Sequence, residues 1–499
     1  MGPLFAKNTA KVGPLFAKDT AKVGPLFAKT IDFYSIVCYI NNEWRYLLIM
    51  KRKFYDELLN WKENNLHVPL IVVGARQVGK TYIIDEFCKN NFKNYYYVNL
   101  MNEKEFVDYF DSLGSFDKRV EVLENFLHTS LKNNDDSILF VDEVQESEVF
   151  IESLKFFNES ADDYNIVCAG SLLGVALRRM HCSFPVGKVI QKDMYPLDFE
   201  EFLWATNNEW YIDKIKKSFI NNEPLLEIVH TKLLDLFFKY LYLGGMPQVI
   251  NNFLENDMEV VRLNKNVIEQ IIKAYFEDMK KYTDNKESVR ITNLYSSIPS
   301  QLAKENQKFV FTQIDKEDKR KRDYVTALDW LYASRLVLSC NLVTKLEFPL
   351  KGFVDIDSFK LYWSDTGILN KLLNVPASSY ILNKPFSFKE IVVENYVACE
   401  LRKMEYDLFY WTRKGKNNGN AEIDFIIQHE MDVIPLEVKA GRNTQAKSLM
   451  VYNEMYKPEL AIRISTNNFS KNGNIKEIPL YAVFCLKYLS ECKDDLKVI

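Results

Sequence analysis

Gly74-Ala75-Arg76-Gln77-Val78-Gly79-Lys80-Thr81 stands between the apolar, β-branched run Pro69–Val73 and the helical pattern Tyr82–Asn90. A buried strand, a turn bounded by two glycines and a helix follow one another without a break. The spacing is G-x-x-x-x-G-K-T in the strand–loop–helix setting that a phosphate-binding loop requires. The glycines let backbone N–H groups curl around phosphate oxygens, and the new helix presents its positive end to the anion. Lys80 is expected to reach the β and γ phosphates of ATP, and the Thr81 hydroxyl to ligate Mg2+. Gly74, Ala75, Arg76, Gln77, Val78 and Gly79 supply the rest of the cradle. The chain has only 17 glycines, so a pair at this spacing is informative. A plain glycine turn before a helix is a distant second reading.

Such a loop needs an acidic strand beside it. Ser137-Ile138-Leu139-Phe140-Val141-Asp142-Glu143 is an apolar run that ends in two carboxylates. Asp142 is expected to hold Mg2+, and Glu143 to polarise the attacking water. In isolation this would be an ordinary strand ending in surface acids. A helix over Val149–Ser160 and a strand over Asn165–Ala169 follow, ending in Gly170-Ser171. Ser171 at that strand tip is a candidate γ-phosphate sensor, although Gly-Ser is also a common turn. Arg178 and Arg179 are candidates for an arginine finger supplied in trans, against the equally weighted reading of two solvated arginines. Strands at Tyr95–Leu100 and Lys188–Met194 bring the total to about five, alternating with helices as in an α/β, doubly wound, mostly parallel sheet.

Four segments together resemble a family. Gly74–Thr81, Phe140-Val141-Asp142-Glu143-Val144-Gln145, Ala169-Gly170-Ser171-Leu172-Leu173-Gly174 and Tyr195-Pro196-Leu197-Asp198-Phe199-Glu200-Glu201-Phe202 look like the AAA-type P-loop ATPases of archaea and bacteria that carry a C-terminal domain of unknown function. The break Gly244-Gly245-Met246-Pro247 after the core is also similar to that group. The resemblance runs from about Lys51 to the end and implies an ATPase core over 50–210.

Residues 211–282 read as a helical lid or bridge, rich in Leu, Ile, Lys and Glu. In 283–375, helical patterns at Ile291–Lys304 and Arg322–Leu336 precede strand-like runs at Ser339–Leu346 and Ser358–Trp363. That order resembles a winged helix, and DNA is its candidate partner. The charged run Lys316–Arg322 mixes acids with bases and reads more simply as a solvated loop.

Residues 376–499 have their own order of helix, three strands, helix, strand, strand. Glu394 lies on an otherwise apolar stripe of the helix Phe388–Met404, where an acid is costly without a partner. Asp424 lies in the strand Ala421–Gln428. Glu437 and Lys439 alternate onto one face of Val433–Lys439. The set Glu394, Asp424, Glu437, Lys439 is similar to the D…(D/E)-x-K site of restriction-endonuclease-like folds, which implies Mg2+ held by carboxylates for phosphodiester attack. The bland alternative is a buried ion-pair cluster without catalysis. Because Lys439 alone cannot offset three carboxylates, the expectation is weak Mg2+ or Mn2+ binding there.

Composition sets the outer limits. Length suggests about three domains at roughly 150 residues each. The net charge of -4 gives no support to a global polyanion binder, and 47% hydrophobic residues is ordinary globular content. Eight cysteines without a C-x-x-C pair argue against structural zinc and suit a reducing cytoplasm. The most apolar segment near the N-terminus, Ile31–Ile40, is too short to span a bilayer and contains Asp32. The opening Gly-Pro-Leu-Phe-Ala-Lys, at 2–7, recurs at 13–18 and 24–29. Residues 1–49 therefore read as a repetitive tail outside the folded protein, with Met50 as the expected functional start. Three readings of function follow: a Mg2+-dependent ATP-hydrolysing protein that controls its C-terminal domain, an ATP-dependent switch or scaffold, and an ATP-regulated nuclease. A homo-oligomer fits the first.

Overall fold

The computed structural model describes residues 35–40, 43–48, 50–132, 135–160, 162–179, 185, 187–281, 285–304, 307–314, 321–381, 388–413, 420–441 and 447–492. The chain divides into two units, Met1–Lys51 and Arg52–Ile499. In the first, β1 (Ser35–Ile40) and β2 (Glu43–Leu48) pair as an antiparallel hairpin, a structured element within the segment expected to be only a tail.

The second unit opens with α1 (Phe54–Asn65) and then builds a five-stranded sheet from β3 (Leu70–Val73), β4 (Asn94–Asn99), β5 (Ser137–Asp142), β6 (Ile166–Gly170) and β7 (Ile190–Asp193). Its order is β4-β5-β6-β3-β7 and every pairing is parallel. β3, β5 and β6 are buried along their whole length, which is why they read as unbroken apolar runs. The helices α2 (Lys80–Asn91), α3 (Lys104–Ser112), α4 (Phe116–Leu127), α5 (Glu148–Glu159) and α6 (Leu173–Arg179) form the connections. Phe106, Phe110, Phe150 and Phe157 pack with Leu139 and Val141 into one core.

A helical region follows: α7 (Phe199–Ala205), α8 (Trp210–Asn221), α9 (Glu227–Leu243), α10 (Pro247–Glu255), α11 (Asn266–Lys281), α12 (Asn285–Leu302) and α13 (Val325–Ala333). Asp198 caps α7 in a reciprocal capping box with Glu201. Gly245 separates α9 from α10 at a close approach, where an added Cβ would lie 2.0 Å from the Leu197 carbonyl oxygen.

The expected boundary at 375/376 does not separate two sheets. Strands β8 (Val337–Val343) and β9 (Val354–Trp363) pair with each other as the hairpin read from sequence, but β8 also pairs in parallel with β10 (Phe409–Arg413). With β11 (Ala421–His429), β12 (Asp432–Val438), β13 (Ala461–Ser465), β14 (Ser470–Asn472) and β15 (Ile475–Pro479) they form one eight-stranded mixed sheet, ordered β14-β15-β13-β12-β11-β10-β8-β9. The hairpin is thus the edge of the C-terminal sheet rather than a free-standing wing. Helices α14 (Thr366–Leu372) and α15 (Ser378–Ile381) lead to α16 (Lys389–Lys403), whose residues 391–401 are all buried, and α17 (Lys447–Tyr456) packs against β11. Most of the charged run 316–322 and of the loop 413–420 lies outside the described residues.

Among the described residues no helix is long and apolar enough to cross a membrane. The described free cysteines, among them Cys88, Cys168 and Cys340, are buried.

Candidate active site

β3 passes directly into Gly74, where a Cβ would stand 2.3 Å from the Met194 carbonyl oxygen at the end of β7. Gly79 caps α2 at φ 97°, a conformation that L side chains rarely adopt. One glycine is needed for close approach and the other for backbone shape. Lys80 is the first residue of α2 and is buried, and its Nζ donates to Gly74 O at 2.8 Å and Ala75 O at 2.9 Å. Burial pulls its ammonium down to about 8, opposed by Glu143 and Asp142 and reinforced by Arg76. Phosphate oxygens would offer this cation stronger, charge-assisted partners than two carbonyls.

The acidic strand meets the loop as its sequence implied. Thr81 Oγ1 donates to Asp142 Oδ2 at 2.9 Å, and the Tyr97 hydroxyl donates to the same oxygen at 3.2 Å. Asp142 Oδ1 accepts the Glu143 N–H at 3.0 Å. Burial raises the Asp142 carboxyl above its ordinary range. Thr81 and Asp142 present only hard oxygen donors, the chemistry Mg2+ takes, so the residues fit that ion. Glu143 leaves β5 with φ 51° and its Oε2 accepts from Gln145 Nε2 at 2.5 Å and from Ser171 Oγ at 3.4 Å. β6 lies between β5 and β3 in the sheet, so Ser171 emerges between the acidic strand and the phosphate loop. The structure thus brings Lys80, Thr81, Asp142, Glu143 and Ser171 to one end of the sheet. Arg178 and Arg179 lie in α6, and their side chains fall outside the described residues.

The contacts that brace the loop and Glu143 were not read from the sequence, although Arg76 and Gln145 lie within segments quoted for their motifs. Arg52, buried, donates to Val78 O at 2.8 Å, to Tyr195 O at 2.6 Å and to Glu201 Oε1 at 3.0 Å. Arg76 pairs with Asp278 of α11 at 2.6 Å, and the Tyr275 hydroxyl donates to Arg76 O at 3.1 Å. Gln145 holds Glu143. Arg52 and Glu201 are 149 positions apart, Arg76 and Asp278 202, and Arg76 and Tyr275 199, beyond the reach of any local pattern.

At the C-terminal cluster, Asp424 and Glu437 each stand one residue beyond the cross-strand pair Phe425 and Leu436. Asp424 Oδ2 accepts the Val438 N–H at 2.7 Å, and Lys439 Nζ pairs with Glu437 Oε1 at 2.7 Å. Burial, then Glu437 and Glu394, push the Asp424 carboxyl well above its usual range. Glu394, however, is already engaged. It accepts from Lys360 Nζ at 3.1 Å, from Gln307 Nε2 at 2.9 Å and from the Tyr362 hydroxyl. Lys360, fully enclosed, also pairs with Glu422 at 2.6 Å. The expectation that Lys439 alone faces these carboxylates is corrected by this second lysine, which comes from β9. Among the described residues no three His, Cys, Asp or Glu side chains are placed to hold a metal ion.

Comparison with known proteins adds the following. Residues 67–203 match a family model described as an AAA domain. Residues 234–379 match a "Domain of unknown function (DUF8612)" and residues 389–483 a "Domain of unknown function (DUF4143)". The first of these two runs across the expected division at 282/283. An uncharacterized protein of Methanocaldococcus jannaschii is 24% identical over 461 residues, which cover 86% of this chain and 88% of that protein. Among solved structures, the Walker-type ATPase of Pyrococcus abyssi is 14% identical with a TM-score of 0.40, covering 65% of this chain and 96% of its own. The ORC2 protein of Aeropyrum pernix is 12% identical with a TM-score of 0.35, covering 70% and 93%. The AAA match falls on β3 to β7 and the site at their ends. Residues 67–203 are therefore similar to an AAA domain and carry the P-loop in the parallel sheet described above.

Proposed function

We propose that the protein binds ATP with Mg2+ and hydrolyses it. The observation that carries this reading is the convergence of Lys80, Thr81, Asp142 and Glu143 on the N-terminal end of α2. The loop N–H groups and Lys80 hold the β and γ phosphates and orient the terminal one. Glu143 takes a proton from a water whose oxygen attacks the γ phosphorus. The bond from that phosphorus to the bridging oxygen breaks, and ADP leaves with the electron pair beside inorganic phosphate. Ser171, hydrogen-bonded to Glu143, is the residue between the general base and the terminal phosphate. Thr81 and Asp142 would hold Mg2+, which would supply positive charge against the phosphate oxygens. The test is phosphate release by the purified full chain. Glu143→Gln should stop release and retain ATP. A wild-type chain that binds ATP and releases no phosphate would replace this reading with that of a nucleotide-dependent switch.

We further propose that the nucleotide state is passed to the C-terminal sheet through α16. Support comes from its two ends. Lys403 Nζ donates to Leu197 O at 3.0 Å in the segment following β7, while Glu394 sits in the charged cluster about 14 Å along the same helix. Nuclease action on DNA is the finer version of this reading. Its support is the grouping of Glu394, Asp424, Glu437 and Lys439, and against it stands the Lys360 ammonium bound to Glu394. Plasmid DNA incubated with the full chain and Mn2+, with and without ATP, decides it. Cutting that Asp424→Asn abolishes would establish a nuclease, and intact plasmid under all conditions would leave a structural cluster.

A further inference from the structure

We infer that Gln145 is a positioning residue that aims Glu143, an assignment that rests on the hydrolysis reading above. The short turn Val144–Glu146 folds the chain back just after β5, so side chain 145 returns to side chain 143. A carboxylate only accepts, hence the amide must turn its Nε2 toward Glu143, at 2.5 Å. That choice leaves Gln145 Oε1 enclosed and without a donor. An enclosed, unpartnered acceptor costs stability, and an apolar side chain of the same shape would not incur that cost. The arrangement therefore serves the orientation of Glu143 rather than the packing of the turn.

The seat of this amide is Gly170 at the tip of β6. A Cβ there would come within 2.3 Å of Gln145 Oε1 and 3.4 Å of its Cδ. A side chain at 170 would meet the amide where it now stands. Ser171, the next residue, donates to the same carboxylate oxygen at 3.4 Å. Glu143 is thus held from two directions, by its own turn and by the tip of β6. Holding the base in one orientation raises turnover without changing how the loop grips nucleotide.

The experiment is steady-state phosphate release by the full chain, with ATP affinity and Tm measured on the same preparations. Gln145→Met keeps the length of the side chain and removes its N–H donor. The expected result is a kcat lower by about tenfold or more, part of the factor general-base catalysis supplies, with the KM for ATP and its Kd unchanged and Tm equal or higher. Gly170→Ala, which pushes the amide off its seat, should lower kcat in the same way and serves if Gln145→Met does not fold. A kcat within twofold of wild type in a folded variant would overturn the assignment, as would a raised KM with unchanged kcat. Absence of phosphate release by the wild type would instead defeat the hydrolysis reading, and this assignment with it.

Discussion

Lys360 Nζ lies 3.1 Å from Glu394 Oε1, and the lysine has no exposed surface. The pair joins β9 to α16, and the 2.6 Å contact of the same ammonium with Glu422 adds β11. A further contact runs to Gln307 Oε1 at 2.9 Å, and the Tyr410 ring lies 5.0 Å below the charge. Burial alone would discharge such a lysine. The surrounding carboxylates of Glu394, Glu422 and Asp424 outweigh it and hold the ammonium charged. The cluster is therefore fastened by a cation of the protein itself, supplied from the strand that sequence reading had placed in a different module.

Lys360→Met should lower the stability of the full chain markedly. Removing one partner strands Glu394 as an enclosed charge, and breaking a buried pair in this way costs about 3–5 kcal/mol. Glu394→Gln in the same background should recover part of the loss. Denaturant unfolding of the two variants checks this, and a Lys360→Met chain as stable as wild type would show that the pair does not fasten the sheet.

Asp424→Asn should change how stability depends on pH. The native carboxyl is raised by burial and by Glu437 and Glu394, so its contribution is full below the ordinary carboxylate value of about 4 and is lost as pH rises through the native value. The asparagine keeps an oxygen for the Val438 N–H and carries no charge. The variant should gain on wild type between acid and neutral pH and be the more stable of the two at pH 8. Thermal unfolding across that range is the measurement, and a variant less stable at pH 8 would mean that the ionised group is needed where it stands.

The division between what could and could not be read from sequence follows the distance over which each contact acts. The phosphate loop and its acidic strand were legible because strand, glycines, lysine and carboxylates are consecutive, and each run has the period of its element. The parallel core was legible for the same reason, since β3, β5 and β6 are buried on both faces and read as unbroken apolar runs. The fate of the β8–β9 hairpin was not legible. Its outer neighbour β10 lies in the next segment of chain, and an alternating strand does not name its partner. One signal was available: Lys360 inside the otherwise apolar run Phe359–Trp363, buried throughout, is a charge that must meet an acid somewhere. Arg52 gave no such hint, because it reads as one of three basic residues at the start of a helix.

Arg52→Met should weaken both the fold and the nucleotide site. Its guanidinium ties the buried loop carbonyl of Val78 to buried Glu201 and to the half-buried Tyr195 carbonyl. Glu201 keeps donors from Lys53 N and Asp198 N, so the loss should fall toward the low end for a broken buried pair, about 3 kcal/mol. ATP affinity should fall with it, because the Val78 carbonyl is no longer braced. Calorimetric titration with ATP, alongside thermal unfolding, separates the two effects. Unchanged affinity in a destabilised variant would confine Arg52 to the fold.

ATP binding should take up a proton above pH 8. In the nucleotide-free chain the Lys80 ammonium is pulled down to about 8, while an unfolded lysine keeps its proton to about 10.4. The sign is fixed by where the protons are. Between those values the unfolded chain binds more protons, so the nucleotide-free protein gains stability as pH rises through that window. Phosphate oxygens at the loop reverse the preference by favouring the charged form. Affinity for ATP should therefore fall as pH rises through 8. Titrations at about pH 8.5 in two buffers of different ionisation enthalpy should give heats that differ by the proton taken up. Lys80→Ala should bind little or no ATP and lose the stability gain as well. Heats identical in both buffers, with binding intact, would mean that Lys80 is already charged before ATP binds and that its enclosure is weaker than its contacts with Gly74 and Ala75 imply.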